Sequence, residues 1–245
     1  MIAVLMMYRN EEDIIGQCIE HWARLGVDGF YLCDNNSSDN SFDVAMEALV
    51  KVDIEYGGFL SSPDEDFPQR KVVNELKAMA IDNGHQWLFP IDADEFLCLN
   101  EVPAYTINQW LESIPGWWPS FDGFFYGKYR YKNIMPNGVS WFEPHHKKAF
   151  GKISPEWTIS IGSHEVEGVN PTFPDIGVYL NHYQYRSYEQ FKRKKITFFK
   201  AFEKAGYLDH PFVQQYRLYQ KHGEAYLEQM WDYLLRGVTE FEFKL

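Results

Sequence analysis

Over its first hundred residues the chain alternates short apolar runs with longer stretches of helical periodicity. Residues 2–8 are an unbroken apolar run and predict a buried first strand. Glu11, Glu12 and Asp13 follow, then Ile14, Ile15, Cys18, Ile19, Trp22 and Leu25 at helical spacing. Acidic residues suit the first turn of that helix, and Gly26 supplies its stop. Residues 29–33 predict a second strand, 42–50 a second helix and 52–56 a third strand. A third helix falls within 67–83, with Val72, Val73, Leu76, Met79 and Ala80 on one face, and 85–91 predict a fourth strand. Strands and helices alternating at these intervals mean βαβ units, a parallel sheet and right-handed crossovers.

The pattern changes after Asn100. Residues 103–180 are rich in Pro, Gly and aromatic residues and show no long helical period. They predict short strands and long loops, an antiparallel extension that walls one end of the sheet. From Ser187 the helical period returns, and a further helix is expected from about 213 to 235. The fold class is therefore α/β: a mostly parallel sheet flanked by helices, with a mixed β/loop extension and C-terminal helices. By pattern the chain divides into 1–100, an α/β half, 101–186, a β/loop region, and 187–245, a helical segment. No composition shift marks a true boundary, so these form one continuous domain.

Composition narrows the function classes. The 245 residues carry a formal net charge of −12, which disfavours a general nucleic-acid binder. The 3 cysteines, Cys18, Cys33 and Cys98, show neither metal-ligand spacing nor a disulfide framework, as expected of a reducing compartment. The apolar start lacks a basic n-region and a small-residue cleavage site, and no apolar run approaches the ~20 residues that span a bilayer. The expected location is cytoplasmic. Aromatic residues make up 18% of the chain. Most pack in cores, and a surplus suits stacking on bases or sugars.

The densest chemistry lies in Trp87-Leu88-Phe89-Pro90-Ile91-Asp92-Ala93-Asp94-Glu95-Phe96. A buried strand ends, and two carboxylates one residue apart follow. Open α/β sheets place ligands at the carboxyl ends of their strands. Asp-x-Asp there makes a hard-oxygen site for Mg²⁺ or Mn²⁺, of the kind completed by substrate phosphates. Strand one delivers Arg9, Asn10 and Glu12 to the same edge, and strand two delivers Asp34, Asn35, Asn36, Ser38 and Asp39. A nucleotide needs hydrogen-bonding groups for base and ribose and a countercharge for its diphosphate, and these loops offer both. The plain alternative for 34–39 is an Asx-rich turn capping the second helix, with Asp39 or Ser41 as N-cap. Capping and binding can coexist.

These segments resemble the GT-A-type glycosyltransferases. The similarity is to the family 2-like and family 92-like branch, which reads NE…HW…G…DN.S.D…DxDEF. Tyr8 to Glu12, Trp22, Gly26-Val27-Asp28, Asp34 to Asp39 and Trp87 to Phe96 carry it. More loosely it extends to Gly162-Ser163-His164, Asn181-His182-Tyr183 and Ser187 to Phe191. The resemblance implies a GT-A-like fold, a nucleotide-diphospho-sugar donor, a divalent metal (Mn or Mg), and transfer of a hexosyl group to a hydroxyl acceptor, a glycan or lipid-linked glycan. By position it puts Asn10 and Glu12 near the base, with Asp34 on base or ribose. It puts Asp92 on the ribose or the metal's water shell, Asp94 on the metal, and His164 or His182 on the metal or diphosphate. Asn36 and Asp39 belong to the same nucleotide-binding set.

As the sugar C1–O bond breaks, negative charge grows on the departing diphosphate, and Arg70 or Lys71 on the third helix can add to its stabilisation. The family 2-like enzymes invert, which needs a carboxylate to deprotonate the acceptor. Glu165 and Glu143 are the candidates, with Asp122 and Glu156 behind them. Glu95 is expected to point away from Asp94 and to support the site. His145-His146, beside Lys147-Lys148, reads as a surface loop. The Lys192 to Lys195 cluster, interleaved with aromatics over 188–204, reads as a solvated helix face. It also suits peripheral contact with an anionic inner membrane surface.

Rival enzyme readings are a haloacid-dehalogenase-like phosphatase and a nucleotidyltransferase. The first would carry its Asp-x-Asp after the first strand, with Thr or Val where Phe96 stands. The second would show a Gly-rich phosphate loop that residues 1–20 lack. A non-enzymatic carbohydrate-binding protein would need no convergent carboxylates.

Overall fold

The computed structural model describes residues 1–54, 56–61, 68–99, 104–113, 126–143, 148–152, 154–167, 175–204, 206, 209 and 211–238. They form two compact units, Met1–Tyr131 with Glu143–Asn181, and Lys132–Phe142 with His182–Leu245. The chain runs β1 (Ile2–Tyr8), α1 (Ile15–Arg24), β2 (Gly29–Asp34), α2 (Ser41–Val52), β3 (Tyr56–Ser61), α3 (Gln69–Asp82) and β4 (Trp87–Ile91). Then come β5 (Glu95–Cys98), α4 (Ile107–Ser113), β6 (Tyr126–Ile134), β7 (Ser140–Glu143), β8 (Ala149–Lys152), β9 (Thr158–Ile159), β10 (Val166–Glu167) and β11 (Asp175–His182). The last helices are α5 (Tyr188–Lys204), α6 (Pro211–His222) and α7 (Glu224–Leu235).

The main sheet has the order β3-β2-β1-β4-β8-β6-β11-β5, with β7 beside β6. Its first four strands are parallel, so β1, β2 and β4 end on one side. Beyond β4 the sheet turns antiparallel through β8 and β6, as the change in pattern after Asn100 predicts. β4 contains Pro90, which has no N–H to donate. The β8 ladder meets β4 at Trp87 and Leu88 and stops before that proline. Pro90 and Ile91 stay paired with Leu5 and Met6 of β1, and the acidic turn begins after Ile91.

Every residue of β1 is buried, at the centre of two apolar layers. On one side Ile15, Cys18, Ile19 and Trp22 of α1 pack with Val4, Met6, Phe30 and Phe89. On the other, Val72, Val73, Leu76 and Ala80 of α3 cover Ala3, Leu5 and Tyr31. The helical faces read from the sequence are the faces that pack.

Three boundaries differ from expectation. β3 begins at Tyr56 rather than at 52, because Val52 completes α2 and Asp53 ends it in the left-handed conformation (φ 55°). The helix expected over 213–235 is two helices, broken at Gly223 (φ 64°, ψ −148°), where other residues are strained. Within 103–180 the short helix α4 buries Ile107, Trp110 and Leu111.

The second unit has its own core of Met135, Tyr185, Phe191, Phe199, Tyr226, Leu227 and Met230. Part of the basic run of α5 is turned onto this unit. Lys192 pairs with Glu224 at 2.7 Å, and the Lys195 ammonium lies 5.4 Å from the Tyr185 ring centre. Among the described residues no helix is long and apolar enough to cross a membrane.

Candidate functional site

The loops after β1 and β2 are stapled together by their own side chains. Asn10 takes a left-handed backbone (φ 56°), which Asn tolerates better than most residues. There its Oδ1 accepts from Ser38 N at 2.7 Å, while Asn10 N donates to Ser37 Oγ at 3.0 Å. Glu11 N donates to Ser41 Oγ at 2.8 Å, and the Glu12 carboxylate accepts from Asn40 N at 2.9 Å. Asp34 Oδ1 accepts from Ser37 N at 2.7 Å, and Asn36 is a second left-handed Asn (φ 57°). Asp39 accepts from Ser41 N and Ser41 Oγ and, more weakly, from Glu12 N. The N-cap position of α2 is Asn40, which makes no side-chain cap bond, rather than Asp39 or Ser41. So Asn10, Glu12, Asp34 and Asp39 hold the loops in shape.

Two other groups at this edge are buried and, among the described residues, unbonded. Asn35 is 1% exposed, and neither its Oδ1 nor its Nδ2 has a partner; the Tyr8 hydroxyl is in the same state. Burial pushes the Tyr8 hydroxyl well above its usual pKa, and the charges of Asp34, Cys33 and Asp39 add to the effect. Buried polar atoms are nearly always bonded, so such exceptions mark places where a ligand or water completes the set.

Residues 92–94 form a turn, so the extended alternation assumed for Glu95 does not apply there. Glu95 nonetheless points into the protein and is 1% exposed. Its Oε2 accepts from Asp92 N at 2.8 Å and from the Lys148 ammonium, and its Oε1 accepts from Tyr131 Oη at 2.6 Å. Lys148 also pairs with Asp92 Oδ2 at 2.8 Å. Burial alone would pull the Lys148 ammonium down, but Asp92 and Glu95 outweigh it and hold its pKa above the ordinary value. Lys148 is therefore fully buried rather than part of a surface loop. His145, His146 and Lys147 lie outside the described residues, as does Asp122.

The other Asp92 oxygen, Oδ1, accepts from Gln69 Nε2 at 3.2 Å, and Gln69 Oε1 accepts from Gly162 N at 2.7 Å. Gln69 thus ties the acidic turn to the segment that carries His164 and Glu165. Gly162 has φ 72°, and a Cβ there would lie 2.4 Å from His164 Nε2. The glycine of Gly162-Ser163-His164 is what lets the imidazole fold back over the backbone. Glu165 is exposed, and its amide donates to Ser160 Oγ at 2.9 Å. Glu143 ends β7 half-buried.

From behind, α1 holds β5. Trp22 Nε1 donates to Glu95 O at 3.0 Å, with Cys18 Sγ at 3.6 Å from the same oxygen. His21 Nε2 bonds Leu97 O at 2.9 Å, and since a carbonyl only accepts, that nitrogen carries the proton. The His-Trp pair of the sequence is thus a clamp on the strand that follows the acidic turn.

The remaining candidates are placed elsewhere. Arg70 pairs with Glu167 at 2.5 Å, and Lys71 lies 3.9 Å from Glu75. Both line a groove of about 890 Å³ along α3 with Asn74, Lys77, Trp157 and Ile161. His182 belongs to the second unit, where its Nδ1 bonds Asn133 Oδ1 at 2.9 Å.

Sequence reasoning missed Gln69, Tyr131 and Lys148, although each carries a signal. Gln69 shares the α3 stripe of Val72, Val73, Leu76 and Ala80. Tyr131 alternates with the buried Tyr129, and Lys148 with the buried Phe150.

Among the described residues no three His, Cys, Asp or Glu side chains are grouped to hold a metal ion. The donor set therefore does not fit an ion held by protein ligands alone. A hard divalent ion here would take much of its shell from phosphate oxygens, with Asp92 40% exposed and open to it while Asp94 is only 1% exposed.

No family model matches the chain, and no curated protein does. Several solved structures resemble part of it. S. aureus TarS aligns at 11% identity over 55% of this chain and 21% of its own, with a TM-score of 0.35. A mycobacterial protein aligns at 22% identity over 54% of this chain and 41% of its own, with a TM-score of 0.34. Glucosyl-3-phosphoglycerate synthase from Mycobacterium tuberculosis, in complex with Mg²⁺ and uridine diphosphate, aligns at 20% identity over 53% and 43%, with a TM-score of 0.32. The chain spans less than half the length of each.

Proposed function

We propose that the chain is a metal-dependent, inverting glycosyltransferase of GT-A type, which moves a sugar from a nucleotide-diphosphate donor to a hydroxyl acceptor. One observation carries the reading. The acidic turn after β4 is held rigid by buried partners on the same side of a parallel sheet as the stapled loops after β1 and β2. Ligand sites of open α/β sheets lie at such an edge.

Each side chain has a part in this reading. The unbonded amide of Asn35 and the Tyr8 hydroxyl offer a donor and an acceptor to the base or ribose. Asn10 and Glu12 bond across to Ser37, Ser38 and Asn40 and hold the two loops together, while Asp34 and Asp39 bond Ser37 and Ser41 within the second loop. Asp92 faces the donor with its orientation set by Lys148 and Gln69. A divalent ion would be held by Asp94 with Asp92 at its edge, and when bound it supplies Lewis-acid countercharge to the departing diphosphate. Glu165 takes the proton of the acceptor hydroxyl. We favour it over Glu143 because its segment is tied to Asp92 through Gly162 and Gln69.

The test is a thermal-shift and calorimetric screen of nucleoside diphosphates and nucleotide sugars, with and without Mn²⁺. Ligand at about 100 times its Kd adds roughly 2.7 kcal/mol to apparent stability. A UDP- or GDP-type response that needs metal and vanishes in Asp94→Ala supports the reading, whereas an equal response in that variant removes Asp94 from the site. Glu165→Gln is expected to keep the nucleotide response and lose turnover by about 10²–10⁴-fold, the range of general-base catalysis.

A further inference from the structure

The buried cation beside the acidic turn bears on how metal reaches it. Asp92, Asp94 and Glu95 place three formal negative charges within four residues. A turn of that charge open to water would attract a divalent cation unaided. Here none of the Lys148 side chain is exposed, and its ammonium sits 2.8 Å from Asp92 Oδ2 while also bonding Glu95 Oε2. Gln69 Nε2 takes Asp92 Oδ1 at 3.2 Å. Both oxygens of Asp92 thus have resident donors, although 40% of its side chain is exposed and open to solutes. A free divalent ion approaching Asp92 meets a positive charge that cannot move away into solvent. A nucleoside diphosphate brings negative charge that offsets that repulsion, and it supplies oxygen ligands of its own.

We propose that Lys148 is a resident counter-cation that keeps free divalent metal off Asp92, so that metal joins the site together with a phosphorylated ligand. Lys148 acts through Asp92 and is a positioning residue. The inference rests on the reading of this turn as the donor-phosphate site.

The test titrates Mn²⁺ and follows the electron paramagnetic resonance of the free aqueous ion. It compares wild type, Glu95→Gln, and Lys148→Met combined with Glu95→Gln, each with and without UDP. The double variant removes both charges of the buried Lys148–Glu95 pair, so neither of the two is left without its partner. Wild type and Glu95→Gln keep the ammonium on Asp92. They are expected to bind Mn²⁺ weakly alone and at least about tenfold more tightly with UDP, within the usual range of coupling between two ligands. The double variant is expected to bind Mn²⁺ alone at least about tenfold more tightly than Glu95→Gln, with UDP then adding less than about threefold. Adding Asp92→Asn should abolish the gain.

Equal Mn²⁺ affinity in Glu95→Gln and the double variant overturns the proposal, and so does a gain that survives Asp92→Asn. Should the double variant fail to fold by circular dichroism, Lys148→Gln combined with Glu95→Gln decides. It also removes the ammonium from Asp92 and should raise Mn²⁺ affinity over Glu95→Gln about tenfold, and equal affinity overturns the proposal. If UDP does not strengthen Mn²⁺ binding to wild type, the transferase reading fails. The comparison in Mn²⁺ alone still judges Lys148.

Discussion

Replacing Lys148 by Met should be among the most damaging single changes in the first unit. The ammonium is fully buried and bonds two carboxylates, one of them, Glu95, only 1% exposed. Met fills nearly the same volume, so the cost comes from the charge left behind. Breaking a buried ion pair by removing one partner costs about 3–5 kcal/mol, because the other charge remains without compensation. Glu95→Gln should cost less, about 1–3 kcal/mol. It leaves Lys148 bonded to Asp92, and the Gln carbonyl can still accept from Asp92 N. The double variant removes both buried charges and should recover about 2 kcal/mol or more of the summed single costs, as expected for residues in direct contact. Urea unfolding followed by the fluorescence of Trp22, Trp87, Trp110 and Trp157, all buried in this unit, reads these costs. With a slope of about 2–3 kcal/mol per molar urea, Lys148→Met should lower the midpoint by about 1–2.5 M. A midpoint within about 0.3 M of wild type would refute the reasoning. So would a double variant that is simply the sum of its parts.

Four further outcomes are expected. Trp22→Phe keeps the ring packing but removes the indole N–H from Glu95 O, so it should cost about 1–3 kcal/mol in the same urea assay and lower the metal-dependent UDP response. Gly162→Ala puts a methyl 2.4 Å from His164 Nε2 at a φ of 72°. It should cost about 1–2 kcal/mol, and the carbon-2 proton resonance of His164 should move while those of His21 and His85 stay. Tyr131→Phe removes a buried hydrogen bond to Glu95 and should cost about 1.5–3 kcal/mol, the range for bonds to charged groups. Burial lowers the pKa of both His21 and His85 below the ordinary 6.5, so the unfolded chain binds more protons than the folded one as pH falls through that value. Their contribution to stability is complete above about pH 6.5 and declines below it until the lowered values are passed. Urea midpoints measured from pH 8 down to 5 should show that loss, and a His21→Gln variant should show less of it.

The parallel half of the fold was legible because each of its signals is local. Residues 2–8 are apolar throughout and became β1 with those bounds, and the α1 stripe of Ile15, Cys18, Ile19 and Trp22 is buried as its spacing requires. Errors arose where one residue changed the backbone path. Asp53 in the left-handed conformation moved the start of β3 by four residues, and Gly223 divided one expected helix into two. Neither effect is visible in hydrophobic periodicity, which reports which face is buried and not the φ of a single residue.

The site was legible only in part, and for a different reason. Asp92, Asp94 and the loops after β1 and β2 announce themselves by composition, and the parallel register brings their strand ends to one side. What orients Asp92 comes from far along the chain: Gln69 lies 23 residues before it, and Lys148 lies 53 residues from Glu95. Each has a polar or charged side chain at a position whose period is otherwise apolar, and that contradiction is the readable trace. A lysine that alternates with buried Phe150, or a glutamine in the stripe of Val72 and Leu76, cannot enter a core without a partner, because desolvating an unbonded polar group costs several kcal/mol or more. The partner must be another buried polar group, and the nearest stretch of buried acids in this sequence is the turn after β4. Lys77, buried in the same stripe as Gln69, bonds the carbonyls of Pro155 and Trp157 instead. Lys148 and Gln69 both point to Asp92.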